Sequence, residues 1–179
     1  MGLIGILGGR FDPPHVGHAA LARAAIKRFG IDRLHVTVVA DAAHKGAEAP
    51  AEHRLAMAQL AFSELDAIVV LEEHRFTVDA LEAAGYENPI FLVGADQLAA
   101  FPTWKDPDRV LELARLGVAT RPGFFPATRS ARIELFELEP HAVSSTEIRS
   151  RVRHREPIDG LVAPAVAAYI ADHGLYRHD

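Results

Sequence analysis

Residues 8–18 read GGRFDPPHVGH, directly after the short apolar run LIGIL at 3–7. A continuous apolar run ended by two glycines is the pattern of a strand buried on both faces, as in a parallel sheet. Residues 16–29, VGHAALARAAIKRF, carry Leu21, Ala25 and Phe29 at helical spacing, and Gly30 suits the position just past the helix end. The stretch is therefore a strand–turn–helix unit with Gly8 and Gly9 in the turn, where they let backbone N–H groups come close to a ligand. His18 falls in the first turns of the helix, where unpaired N–H groups and the helix dipole favour anions. This is the layout of a phosphate site. Neither G-x-G-x-x-G nor G-x-x-x-x-G-K-[ST] occurs, which sets aside a dinucleotide dehydrogenase and a P-loop NTPase. The residues leave two other readings of His15 and His18 open, surface histidines without a role and a metal pair. Zinc would need a third ligand, and no acidic or cysteine cluster at ligand spacing is evident.

The alternation of strand and helix continues along the chain. Further strands are expected at 34–40, 67–71, 89–94 and 116–120, with an edge strand at 133–138, where apolar and polar residues alternate. Helices are expected at 51–62, with Leu55, Ala58 and Phe62 on one stripe, at 77–85, near 95–100 and at 107–114. Residues 41–50 read as a loop and 121–130 (RPGFFPATRS) as an irregular, mobile surface loop. Ser144 and Ser145 open a helix, with Ser144 and Glu147 at capping-box spacing. The last helix starts near Pro164, carries Val166, Tyr169, Ile170 and His173 on one face, and is closed by Gly174. Together these predict an α/β fold with a parallel sheet and right-handed crossovers. One domain spans 1–179, its C-terminal helical part covering 144–179. Ligands in such folds sit at the C-terminal ends of the strands.

Composition narrows the function classes. Apolar residues make up 49% and charged residues 24%, the balance of a soluble globular domain. A net charge of −5 gives no global field for nucleic acid or an anionic membrane. The four arginines in RSRVRHR (149–155) read as a solvated helix end. There are no cysteines, which removes disulfides, thiolate nucleophiles and Cys-based zinc sites together. No apolar run approaches a membrane span, and MGLIGILGG lacks a basic leader and reads as a first strand rather than a signal peptide. A cytoplasmic protein is expected, without nucleic-acid or membrane partners and with room for a homo-oligomer.

G-G-x-F-D-P-x-H-x-G-H after an N-terminal strand resembles the signature of the nucleotidyltransferase superfamily, and SSTEIR (144–149) resembles its S-S-T-x-I-R. Within that superfamily the chain is most similar to the bacterial nicotinate mononucleotide adenylyltransferases, through EHRLAMAQLA (52–61), FLVGADQLAAFPTW (91–104), VATRPG (118–123) and GLYR (174–177). The resemblance covers almost the whole chain. It implies a Rossmann-like domain with helices on both faces of the sheet. It further implies transfer of AMP from ATP to nicotinate mononucleotide, giving deamido-NAD and pyrophosphate.

The resemblance also implies roles for residues. His15, His18, Lys45 and Arg149 form the catalytic set, donating to phosphate oxygens as pyrophosphate leaves. Gly8, Gly9, Arg10, Phe11, Gly94, Asp96, Ser144, Ser145 and Thr146 join His15, His18 and Arg149 on the ATP side. Lys45, Thr77 and Trp104 serve the acceptor. Trp104 would stack on the pyridine, the alternative being a packing residue. Asp96 would accept from ribose hydroxyls, cap the next helix, or do both. Mg²⁺ would arrive with ATP and bridge the triphosphate, with few or no protein ligands.

Three positions break the family pattern. AAHKG (42–46) stands where P-P-H-K is usual, and Arg75-Phe76 where Ser-Tyr is usual. Arg10 replaces a small hydroxyl residue and resembles the form in archaeal nicotinamide mononucleotide adenylyltransferases. The expectation is that Arg10 adds a phosphate contact and does not set the acceptor. Nicotinamide mononucleotide or another phosphate ester remains the alternative acceptor. A nucleotide-binding regulatory domain without turnover is the alternative from another class.

Overall fold

A computed structural model describes residues 2–40, 47–128 and 130–177. The chain alternates β1 (Ile4–Gly9), α1 (Val16–Phe29), β2 (Arg33–Val39), α2 (Ala51–Ala61), β3 (Ala67–Glu72), α3 (Thr77–Ala84), β4 (Ile90–Gly94), α4 (Ala95–Ala100), a 3₁₀ turn (Phe101–Thr103), α5 (Pro107–Leu113), β5 (Arg115–Thr120), β6 (Ile133–Glu137), α6 (Ser145–Arg153) and α7 (Pro164–Asp172). The six strands form one sheet in the order β3-β2-β1-β4-β5-β6. Every neighbouring pair is parallel, the expected edge strand β6 included. The chain reverses its direction of winding between β1 and β4, and the C-terminal ends of those two strands form the crevice where ligands of this architecture bind.

The period-2 alternation of the central strands builds two cores, one on each face. Leu7, Val36, Ile90 and Leu92 pack with Ala22 and Ala25 of α1 and Ala58 and Phe62 of the α2 end. Ile6, Phe91, Val93, Leu116 and Val118 point the other way, onto Val78 and Leu81 of α3 and Val110 of α5. Alanines on the buried face of α1 let it lie close to the sheet, while Leu21 and Phe29 pack at its margin. A third cluster joins Met57 of α2 to Ile148 of α6, Val166 and Ile170 of α7, and Leu175 and Tyr176. The C-terminal helices are thereby fastened to α2. No helix among the described residues is long and apolar enough to cross a membrane.

Two local expectations change. Ser144 caps α6 by accepting from the Glu147 N–H, but the Glu147 carboxylate turns to Arg151 one turn on, so the cap is not reciprocal. Gly94, not Asp96, is the N-cap of α4, and Gln97 Oε1 accepts from the Gly94 N–H.

Candidate active site

The turn after β1 is shaped by aromatic rings. A Cβ on Gly9 would lie 3.0 Å from the Phe11 ring, and one on Gly8 would lie 3.2 Å from both Phe91 and Thr37. Each glycine therefore makes room for a ring as well as exposing backbone. Phe11 takes a left-handed conformation, φ 50°, which turns its side chain into the core. There it meets His18 edge-on at 5.1 Å and Phe62 at 5.6 Å. Phe11 supports His18 from beneath and lines neither of the cavities described below.

His15 is the N-cap of α1 and His18 sits one turn in, with the two rings stacked at 3.7 Å. The His15 N–H donates to His18 Nδ1 at 3.1 Å. That bond fixes His18 as the tautomer with its proton on Nε2, so a neutral ring still offers a donor. Burial, and then the neighbouring His15, push the His18 pKa down to about 3. Burial, and then His141, push His15 down to about 4. Both rings are neutral at pH 7. Gly17 leaves room between them, since a Cβ there would stand 3.1 Å from the His15 ring and press on it. With His18 Nδ1 already accepting, stacked rings are poorly arranged to share a metal. Among the described residues no three His, Cys, Asp or Glu could hold one.

Beneath the histidines lies a polar scaffold that the sequence did not announce. Asp12 is 3% exposed and accepts from the N–H groups of Glu48 and Ala49 and from the Tyr176 hydroxyl. Burial and the Asp12 charge raise the Tyr176 pKa far above its ordinary value. Arg54, buried on α2, donates to the carbonyls of Arg10, Val39, Ala40 and Ala49. A buried arginine is tolerable because each of its three side-chain nitrogens donates to a carbonyl. Asp12 and Arg54 together tie the turn after β1 to the end of β2 and to the chain entering α2. Lys45, with the rest of AAHKG, lies outside the described residues.

SSTEIR packs against the same turn from the opposite end of the chain. Ser145 Oγ donates to the Pro13 carbonyl at 2.8 Å, and Arg149 donates to the Asp12 carbonyl at 2.8 Å and to Glu48 at 2.8 Å. Thr146 Oγ1 lies 3.5 Å from the Arg149 guanidinium. Arg153 also grips Glu48, and its hydrogen bond, against the opposing effect of burial and with help from Arg149, holds that carboxyl below its usual range. Ser145 and Arg149 thus reach the FDPPH turn, Ser144 and Thr146 stay within α6 and its cap, and none of the four lines either cavity.

Two cavities open at the C-terminal ends of the strands. The first, about 430 Å³, is lined by His15, His18, Gly94, Asp96, Thr120 and Arg121, with His141 at its rim. Nothing stands within 4 Å of where a Gly94 Cβ would be, so the end of β4 is open to a ligand there. The second, about 560 Å³, is lined by Gly8, Gly9, Arg10, Arg75, Thr77 and Trp104, with Glu72 and His74 at one end. Trp104 is half-buried, edge-on to Phe91 at 6.2 Å and to Phe101 at 5.3 Å, with part of its ring left to the cavity. It is a packing residue and a cavity wall at once. Gln97 lines both cavities and stands between them. The structure therefore divides the expected site residues in two. His15, His18, Gly94 and Asp96 face one cavity. Thr77 and Trp104 face the other, and Arg10 and the two glycines go with them. Gln97, Arg121 and His141 were not singled out from the sequence. Arg121 lies in the VATRPG match and Gln97 inside FLVGADQLAAFPTW, whereas His141 carries no motif signal.

The Cytidylyltransferase-like family model matches residues 6–151. A relative from Albidiferax ferrireducens, named a probable nicotinate-nucleotide adenylyltransferase, is 41% identical over 97% of this chain and 98% of its own length. One of the same name from Roseiflexus is 39% identical, again over 97% and 98% of the two chains. The solved Plasmodium falciparum nicotinic acid mononucleotide adenylyltransferase, complexed with NaAD, superposes with a TM-score of 0.85 at 17% identity, over 100% of this chain and 99% of that one. At that identity the likeness speaks for the fold alone.

Proposed function

The chain belongs to the cytidylyltransferase-like family and, within it, to the nicotinate-nucleotide adenylyltransferases, and on that premise we propose that it transfers AMP from ATP to nicotinate mononucleotide in NAD biosynthesis. The products are deamido-NAD and pyrophosphate. The observation that carries this reading is the stacked, neutral His15–His18 pair at the N-terminus of α1, lining the first of two ligand-sized cavities that share Gln97. In this reading the 430 Å³ cavity takes the adenosine end of ATP and the 560 Å³ cavity takes the acceptor.

The acceptor's 5′-phosphate oxygen attacks the α-phosphorus in line. A new P–O bond forms as the bond to the β-phosphate oxygen breaks, and pyrophosphate carries away the electron pair. The phosphate is an ionised nucleophile, so no covalent enzyme intermediate is needed. Catalysis is then positioning and charge stabilisation. His18 donates its Nε2–H to the α-phosphate, and the first N–H groups of α1 supplement it. His15 donates beside it, and Arg10 adds a phosphate contact from the turn after β1. Lys45 and Arg149 hold the leaving pyrophosphate. Phe11 fixes His18 in place, and Ser144, Ser145 and Thr146 fix the helix that carries Arg149. Gly8, Gly9, Gly94 and Asp96 leave room for and accept from the nucleotide, while Thr77 and Trp104 take the pyridine end. A divalent ion such as Mg²⁺, carried by the ATP substrate with few or no protein ligands, would supply neutralisation of the triphosphate charge. The enzyme works in the cytoplasm on these small molecules. Pyrophosphate release from ATP, measured with nicotinate mononucleotide and with nicotinamide mononucleotide, tests the proposal. Release with the former is expected, and no release with either would overturn it.

A further inference from the structure

Among the described residues Gln97 alone lines both cavities. It stands in the first turn of α4, just past the Gly94 that ends β4. Its side chain has one favoured orientation there. The Gly94 N–H donates to Oε1 at 3.1 Å, and an amide nitrogen in that place would set donor against donor. The Nε2 group is therefore turned away from this N–H, with two N–H donors that diverge. Neither donor meets a partner among the described residues. His18 is oriented by the same device. The His15 N–H occupies its Nδ1, which leaves Nε2–H for a ligand. In both side chains a backbone N–H takes the accepting atom and frees a donor.

We propose that Gln97 is a further phosphate-contacting residue, whose amide bridges the two phosphates that react. The inference rests on the adenylyl-transfer reading, in which the first cavity holds ATP and the second the acceptor. In that reading the wall the cavities share is where the acceptor's phosphate approaches the α-phosphate. Two anions are brought together there, and ionised phosphates offer acceptor oxygens only. A neutral amide with two diverging donors serves one oxygen of each and adds no charge of its own. A carboxylate in its place would repel both. The hydrogen bond from Gly94 aims the donors, because it removes the freedom of the amide to flip before the substrates arrive.

Two substitutions separate this role from that of a helix cap. Gln97→Glu keeps an acceptor for the Gly94 N–H but replaces both donors by charge. Gln97→Met fills similar space and removes acceptor and donors together. Pyrophosphate release is measured for both against the wild type, with thermal unfolding alongside. Gln97→Glu is expected to keep the wild-type Tm and to lose on the order of 10²-fold in kcat/KM, and Gln97→Met on the order of 10-fold. The loss should fall on ATP and on the acceptor alike, because the amide serves both phosphates. Wild-type turnover by Gln97→Glu would make the residue a cap alone and overturn the proposal, as would a loss confined to one substrate. The complex before reaction is read separately. Trp104 is the single tryptophan and lines the second cavity, so its fluorescence follows nicotinate mononucleotide binding with a non-hydrolysable ATP analogue present. Gln97→Glu should weaken that binding by on the order of 10-fold. Such weakening without release by the wild type would sustain Gln97 and sink the transferase reading. Wild-type release that Gln97→Glu matches would do the reverse.

Discussion

The two cavities on either side of Gln97 are made in different ways. The histidine side is built on a buried scaffold. Its rings stack on each other, rest on Phe11 and stand over Asp12, and the chain's two ends meet beneath them. The acceptor side is a surface laid over the strand ends. Its distinguishing groups, Arg10 and Arg75, project from turns, and Arg75 is exposed. In the proposed reading, the side that performs the chemistry is the one tied to the fold, and the side that takes the acceptor can vary without disturbing the core.

This contrast predicts where substitutions are felt. The largest effect falls on the scaffold. Asp12→Ala leaves two backbone N–H groups and the Tyr176 hydroxyl without their acceptor. The expected loss is about 3 kcal/mol, or about 10 °C in Tm, by thermal or urea unfolding. Arg75→Ala should leave the same unfolding curve almost unmoved. If the two variants melted alike, the contrast between scaffold and surface would be broken.

Next comes the chemistry. His18→Ala should lower kcat by on the order of 10²-fold while acceptor titrations followed through Trp104 still saturate. A loss of acceptor binding without loss of kcat would put His18 on the wrong side of Gln97. A smaller effect is expected for Trp104→Ala, a rise of about 10-fold in acceptor KM with ATP KM little changed. The reverse pattern would exchange the roles of the two cavities.

A separate effect is a dependence on pH. His15 and His18 titrate at about 4 and about 3 when folded, against 6.5 for a free histidine. Above pH 6.5 both states hold them neutral and stability is flat. Below it, the unfolded chain binds protons that the folded one refuses. Stability then falls by about 1.4 kcal/mol per pH unit for each histidine, until the folded pKa is reached. Urea unfolding at pH 7 and pH 5.5 should show this slope in the wild type and a shallower one in His18→Gln. Equal slopes would mean that His18 is not buried as a neutral ring.

Most of the fold was legible because local and global signals agree. LIGIL, LHVTVVA and PIFLVG read as strands, and the helices at 16–29 and 77–84 end at the glycines expected to stop them, Gly30 and Gly85. The edge strand at 133–137 was legible from its alternation, and it pairs in parallel as a crossover connection requires. The capping box at Ser144 was only half right, because Glu147 had a better partner in Arg151 than the backbone N–H behind it. The histidine pair was legible because the motif is contiguous. Asp12 and Arg54 were not, although both lie in stretches that were read. Asp12 sits inside a motif whose histidines took the attention, and Arg54 interrupts an apolar stripe, where a charge is ordinarily placed outward. Only their long-range partners, Tyr176 and the carbonyls of three separate segments, reveal them as structural. Arg10 was expected among the ATP contacts, yet it lines the cavity of Trp104. A turn residue's side of the sheet is set by the path of the backbone after β1, which spacing alone does not encode.

In the proposed reaction His18, in the cavity beside Gln97, helps join an adenylyl group to a pyridine mononucleotide held on the other side of that residue. The most direct test is pyrophosphate release from MgATP with nicotinate mononucleotide, comparing the wild type with His18→Ala. The account predicts release by the wild type only when both substrates are present, and a rate on the order of 10²-fold lower in the variant. Equal rates in the two proteins, or no release by the wild type, would contradict it.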